Sequence, residues 1–372
     1  MRGQKHYITH KTMLRKTLAI AVVAAATMAL SVGAFACTGI MLKSADGHTV
    51  MARTIEWAGN DNHNRYVVVP RGHCWTSLTP DSSEGRIFSG KYGYVGFAVE
   101  QAEFIVEGLN EKGLSAGLFY FPGYGEYEPF CPENKNSNIA DLQLVSYILG
   151  SCATVDEVIA EIGKIHVHNV YPGASTAHWR FAEPGGRQVV LEIINRKCVF
   201  YENELGVLTN SPSLDWHLTN LNNYVNLTSG AVSEGKAGRL ALKSLGGGSG
   251  FHGIPGDFTP PSRFVRAAFF QSTAPVLKTS EETVFQAFHL LNNFDLPIGA
   301  QTNEGITPPD MPSATQFTSA TDLSEKKIYI KTMYNSHIRC VDLNRINFSK
   351  CKFINELLDP QRKEPVEPLF RH

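Results

Sequence analysis

A chain of 372 residues with 43 % hydrophobic and 19 % charged content can bury a large core, which excludes the disordered and fibrous classes. A formal net charge of -1 gives no field that would draw it to nucleic acid or an anionic lipid surface, so the expected partner is a small molecule. The seven cysteines (Cys37, Cys74, Cys131, Cys152, Cys198, Cys340 and Cys351) show no CxxC or metal-finger spacing; apart from Cys37 they are expected to be mostly buried small hydrophobes.

The N-terminus reads as a secretory signal. Arg2, Lys5, Lys11, Arg15 and Lys16 form a basic region, and Leu18 to Val32 an apolar one. Met13 opens a sufficient signal by itself. Ala34 and Ala36 place small residues at the third and first positions before Cys37, so residues 1-36 are expected to be removed. No later apolar run is long enough to span a bilayer, and the mature protein is expected to be exported, periplasmic or secreted. Cys37 would then carry a thiol and a free α-amine in one residue, a nucleophile with its own general base. A lipoprotein signal is also cut before a cysteine, but it usually has leucine three residues upstream, where Ala34 stands here.

From Cys37 the pattern predicts a short strand, an Asp46-Gly47 turn and a strand over 49-55. Strands follow over 65-70, 90-100 and 104-109, the last turning through Asn110-Glu111-Lys112-Gly113 into 114-121. Two helices come next, one capped by Asn138 with Leu142, Val145 and Leu149 at helical spacing, the other capped by Thr154 over 155-165. Strands are predicted over 178-181, 189-193, 198-201 and 206-209. Helices are predicted over 214-225, 263-271 and 281-293, with a glycine-rich loop at 246-256 between the first two. The chain closes with strands over 327-331 and 338-343, and the charged, proline-rich 359-372 reads as a loose tail. This order, without regular βαβ alternation, predicts an α+β fold of packed sheets with helices outside.

Several motifs in this order resemble the choloylglycine hydrolase family, which includes bile salt hydrolases and penicillin V acylases. They are Cys37-Thr38-Gly39 after a signal, Arg53, Asn110 to Leu114 leading to Phe121-Pro122-Gly123-Tyr124, Leu208 to Pro212, and Gly253 to Asp257 running to Ser262-Arg263-Phe264. The resemblance covers most of residues 37-358 as one domain. It implies the N-terminal nucleophile (Ntn) hydrolase fold, a four-layer αββα sandwich, and an amidase for linear C–N bonds that needs no metal or organic cofactor.

By that resemblance Cys37 is the nucleophile, and Arg53 lies beside its thiol and favours the thiolate. Asn210 and the backbone N–H of Tyr120 hold the oxyanion, and Arg263 stands near them. Three residues after Arg53 the family normally has aspartate; here it is Glu56, so the site repacks or Glu56 plays a looser role. Taken alone, Arg53 would read as a surface ion pair and Asn210-Ser211-Pro212 as a turn. Trp57, Tyr120, Phe121 and Tyr124 are the aromatics expected to form the substrate pocket. Tyr120 resembles the penicillin acylases, while the stretch from Phe251 to Asp257 resembles the bile salt enzymes. The expected substrates are conjugated bile salts, with penicillin V or N-acyl homoserine lactones as alternatives, and the family implies a homotetramer. A reading from another class is a lipid-anchored or secreted binding protein that keeps the fold and has lost the chemistry at Glu56.

Two patterns point elsewhere and fail their context. Gly248-Ser249-Gly250-Phe251-His252-Gly253 fits a dinucleotide-binding glycine pattern, but Ile254-Pro255-Gly256 follows where a helix should begin, so a flexible loop by the pocket is expected. His166 and His168 share a strand face without a third ligand at metal spacing, and read as solvent-facing.

Overall fold

The Asp46-Gly47 turn forms as its residues dictate, with Gly47 at a φ of 88° that other residues rarely adopt. It joins Ala36–Lys43 (β1) to Thr49–Gly59 (β2) in a register that pairs Cys37 with Ile55 and Gly39 with Arg53. The computed structural model describes residues 36-59, 61-171, 174-301 and 311-369. The leader to Phe35 lies outside the described residues, as do the ends of the tail.

Among the described residues the main strands form two antiparallel sheets, one of five strands and one of eight. In the first, β2 lies between β1 and Met311–Asp322, followed by Lys327–Thr332 and Asn335–Asp342. The second runs from Lys197–Glu202 through Gln188–Ile194, Ala177–Ala182, Ser115–Tyr120, Ile105–Asn110, Tyr94–Ala98 and Arg65–Val69 to Ile354–Leu357. Helices Pro260–Thr273 and Ser280–Leu291 cover the five-stranded sheet, while Leu144–Ser151 and Val155–Ile162 cover the eight-stranded one. The layers are α, β, β and α, as the family implied.

Two apolar cores follow from these layers. One joins Ile40, Met51, Phe97, Leu109 and Phe119 with Phe264 and Phe288 of the outer helices; the other joins Ile105, Leu114 and Trp179 with Leu144, Ile148 and Val158. Thr154 caps its helix as expected, accepting from the Glu157 N–H at 3.2 Å.

Several expectations are corrected. Asn138 starts the short strand Asn138–Ala140, and the helix begins later, at Leu144, because the Asn138 side chain is engaged by Cys131 O and His166. Residues 206-209 form no strand and touch β1 through a single bridge, Gly39 to Leu208. Of the six cysteines other than Cys37 only Cys152 is buried; Cys74, Cys198 and Cys340 are exposed, and all are free thiols. His168 is fully buried rather than solvent-facing. The start of the tail is pinned: Asp359 pairs with Arg339 at 3.0 Å, and both the backbone N–H and the hydroxyl of Ser336 donate to Glu364. No described helix is long and apolar enough to cross a membrane.

Candidate active site

Strand alternation divides the site residues between two faces of β1 and β2. Cys37, Arg53 and Ile55 face the eight-stranded sheet, while Thr38 and Thr54 lie on the other face, where the helix Pro260–Thr273 packs on β1 and Ser280–Leu291 on β2. The contacts agree with this division. Arg53 donates from Nη1 to the carbonyl oxygens of Leu118 (2.5 Å) and Val106 (3.1 Å), while Thr38 Oγ1 accepts from Arg263 at 3.0 Å.

Asn210 joins the parts. Its Oδ1 accepts from the Cys37 backbone N at 2.8 Å and from Arg263 Nη2 at 2.7 Å, and its Nδ2 donates to Tyr120 O at 2.7 Å. Arg263 Nη1 also donates to Cys37 O at 2.5 Å, and its Nε to Phe258 O at 2.8 Å. The backbone bridge between Gly39 and Leu208, at 2.7 and 3.1 Å, fixes the Asn210 segment against β1. His217 Nε2 lies 2.9 Å from Asn210 O; burial lowers this imidazole to about 4, so it is neutral at pH 7 and donates that bond.

Burial pushes the Cys37 thiol above its ordinary value, and Arg53 is the main opposing influence. Arg263 and a backbone hydrogen bond from Tyr120 oppose it as well. Arg53 therefore acts in the expected direction, but desolvation of the thiol outweighs it. Burial raises Glu56 to about 7 against the pull of Arg263, and Thr315 Oγ1 donates to its Oε1 at 3.2 Å. The extra methylene relative to aspartate is thus accommodated by a threonine on the neighbouring strand, where the pairing is interrupted by a bulge.

The sign of the Glu56 shift predicts a pH effect on stability. A folded value near 7 against an ordinary value near 4.5 means that the native state holds the proton more tightly, so the stability it confers is complete at low pH and is lost as pH rises from about 4.5 to about 7. Glu56→Gln should flatten that part of the profile. Calorimetric Tm values at pH 5 and pH 8 test this, and an equal fall in both proteins would show that Glu56 is not the group responsible.

Composition reading missed the ionic cluster behind Arg53. Arg180 Nη2 bonds Glu107 Oε1 at 2.7 Å, Arg53 lies 3.6 Å from the other carboxylate oxygen, and all three side chains are buried. Phe119 presents its ring to both guanidinium groups, at 3.9 Å from Arg53 and 5.5 Å from Arg180. The available signal was a glutamate in the apolar strand Ile105–Asn110 and an arginine among apolar residues in Ala177–Ala182. Two arginines against one glutamate leave excess positive charge beside the thiol.

A cavity opens beside Cys37, lined by Arg53, Glu56, Trp57 and Tyr120 together with Ile55, Asn62, Val99, Phe104, Leu142 and Tyr171. Its walls are chiefly apolar, suited to an apolar acyl group with its reacting end at Cys37. Two expected pocket residues lie elsewhere. Phe121 is fully buried and stacked on His178 at 4.4 Å, and Tyr124 is half exposed, because Gly123 turns the chain outward. No residue of 246-256 lines this cavity. Asp141, buried in its wall and raised to about 7 by desolvation, had no sequence signal. No cluster of three or more metal-ligating side chains occurs among the described residues.

This four-layer sandwich is the Ntn-hydrolase fold. Residues 37-359 match the linear amide C-N hydrolases, choloylglycine hydrolase family, and the chain belongs to that family as a hydrolase of linear amide C–N bonds. It is 32% identical over 320 residues to the bile salt hydrolase/transferase of Clostridium perfringens, covering 84% of this chain and 93% of that one. A penicillin V acylase from Pectobacterium atrosepticum is 24% identical, covering 81% and 79%. The crystal structure of a mutant of the Clostridium perfringens conjugated bile acid hydrolase superposes with a TM-score of 0.77 at 28% identity, covering 90% of this chain and all of that one.

Proposed function

We propose that the protein is exported, loses residues 1-36, and hydrolyses conjugated bile salts through a thioester on an N-terminal Cys37. The observation that carries this reading is Asn210, which bonds the Cys37 nitrogen, Arg263 and the Tyr120 carbonyl beside an apolar cavity. The start of the family match at Cys37 supports the cleavage point.

In this mechanism the Cys37 α-amine takes the thiol proton. The ordinary α-amine value of about 7.7 to 8.0 leaves a useful neutral fraction near pH 7, which matters because the thiol itself is held above its usual value. Sulfur attacks the amide carbonyl and the C–S bond forms. The Asn210 amide and the Tyr120 N–H stabilise the oxyanion, and Arg53, Arg180 and Arg263 keep the surroundings positive. The C–N bond then breaks as the ammonium returns its proton to the leaving amine. Water attacks the thioester, the amine accepts the water's proton, and C–S cleavage releases the acid and restores the thiol.

The bile-salt assignment follows the relatives' names, and Tyr120 in the cavity wall favours penicillin V as the second reading. An N-acyl homoserine lactone fits the same apolar wall. Measuring kcat/KM on glycocholate, taurocholate, penicillin V and a long-chain acyl homoserine lactone decides among them. Preference for the two bile salts is expected; preference for penicillin V would transfer the assignment to the Tyr120 reading, and no turnover with Cys37 free at the N-terminus would favour a binding protein. For assembly we propose a homotetramer, for which the exposed hairpin Gly235–Ala237 with Leu240–Leu242 offers Leu240 and Leu242 as contact residues.

A further inference from the structure

We infer that residues 360-364, beyond the stretch that matches the family, brace the wall of the substrate cavity, with Arg362 as a positioning residue for the loop 61-64. The inference rests on reading that cavity as the substrate site. Asn62 lines it, directly after the β2 strand that carries Arg53, Glu56 and Trp57.

Asp61, the neighbour of Asn62, is buried, and its carboxylate is bonded by Arg362 Nη2 at 3.0 Å and by the Tyr334 hydroxyl at 3.1 Å. The other Asp61 oxygen accepts from the His63 N–H at 2.8 Å, and Arg362 Nη2 also lies 3.3 Å from His63 Nε2. One guanidinium therefore holds both flanks of Asn62.

Arg362 is itself anchored on either side. Its N–H donates to Asp359 O at 3.1 Å, and the Asp359 carboxylate is held by Arg339 and by Thr332 Oγ1 at 2.6 Å. Two residues on, Glu364 accepts from Ser336. These anchors, Thr332, Ser336 and Arg339, belong to the two far strands of the sheet that contains β2. The segment thus ties the cavity loop to the outer part of its own sheet. The family match ends at Asp359, three residues before the arginine that completes this tie.

The carboxylate of Asp61 is buried, and removing a cation from such a group destabilises the local arrangement that depends on it. The effect should appear in the loop before it appears in the fold. Four proteins test this: the wild-type chain, Arg362→Ala, Arg362→Lys, and a chain lacking 360-372. Hydrogen exchange of peptides spanning 61-64 should be about tenfold faster in the alanine and shortened proteins, with strands Ala177–Ala182 and Gln188–Ile194 unchanged. KM for glycocholate or penicillin V, whichever the wild type turns over, should rise about fivefold with kcat within about twofold, and lysine should restore most of both effects. Unchanged exchange, or faster exchange with unchanged KM, overturns the role of Arg362. If the wild type turns over neither substrate, the bile-salt and penicillin V readings fail and the exchange data alone decide whether the brace exists.

Discussion

Replacing Cys37 with alanine should leave the fold intact and lower kcat at least about 10⁴-fold, because the thiol is the only protein group in the proposed mechanism that forms a bond to carbon. The substitution removes one sulfur from a position whose backbone contacts, to Asn210, Arg263 and Ile55, are kept. Tm should therefore shift little. A companion protein in which cleavage before Cys37 is blocked should be as inactive as the alanine variant, since its nitrogen remains a peptide amide without a basic lone pair. Mass spectrometry of the N-terminus beside kcat measurements checks both; full activity in the uncleaved form would remove the α-amine from the mechanism.

The second large effect is expected at Asn210. Losing one oxyanion donor typically lowers kcat about 10² to 10³-fold, and Asn210→Ala should reach the upper end because it also frees the Cys37 nitrogen and Arg263 Nη2 from their acceptor. Asn210→Asp separates the two contributions. Aspartate keeps an acceptor for Arg263 and the Cys37 nitrogen but has no N–H for the oxyanion or for Tyr120 O. If the donor matters, aspartate should still lower kcat about 10²-fold, less than alanine, with KM changed much less. Retention of more than about a tenth of the wild-type kcat by Asn210→Asp would assign Asn210 to placing the N-terminus alone.

What could be read from the chain depended on whether the signal was local. The Asp46-Gly47 hairpin and the Thr154 cap are local, and both formed as expected. The central strand Met311–Asp322 was missed because its threonines, serines and Gln316 lack the apolar alternation that marks a strand, although β-branched threonine suits one. The side chains of Thr315, Thr318, Ser319 and Thr321 are buried, and Thr315 is the one that receives Glu56. Glu107 and Arg180 escaped notice because neither carries meaning until two strands distant in sequence bring them together. Phe121 and Tyr124 carried the family motif, yet Phe121 alternates with the cavity residue Tyr120 to lie with Phe119 on His178, and the turn at Gly123 sends Tyr124 outward.

The bridge between Gly39 and Leu208 bears on the proposed cleavage before Cys37. With Ala36 still attached, β1 is already in register with β2, and the Cys37 nitrogen already meets Asn210. Among the described residues the partners of Cys37 named above, Asn210, Arg263 and Ile55, all follow the expected cut, so the proposed cleavage would leave them in place. Under the proposed cleavage the precursor would be a zymogen whose activation is electrostatic: one peptide bond would be exchanged for a titratable amine near Glu56 and Arg263, in a cradle that is already built.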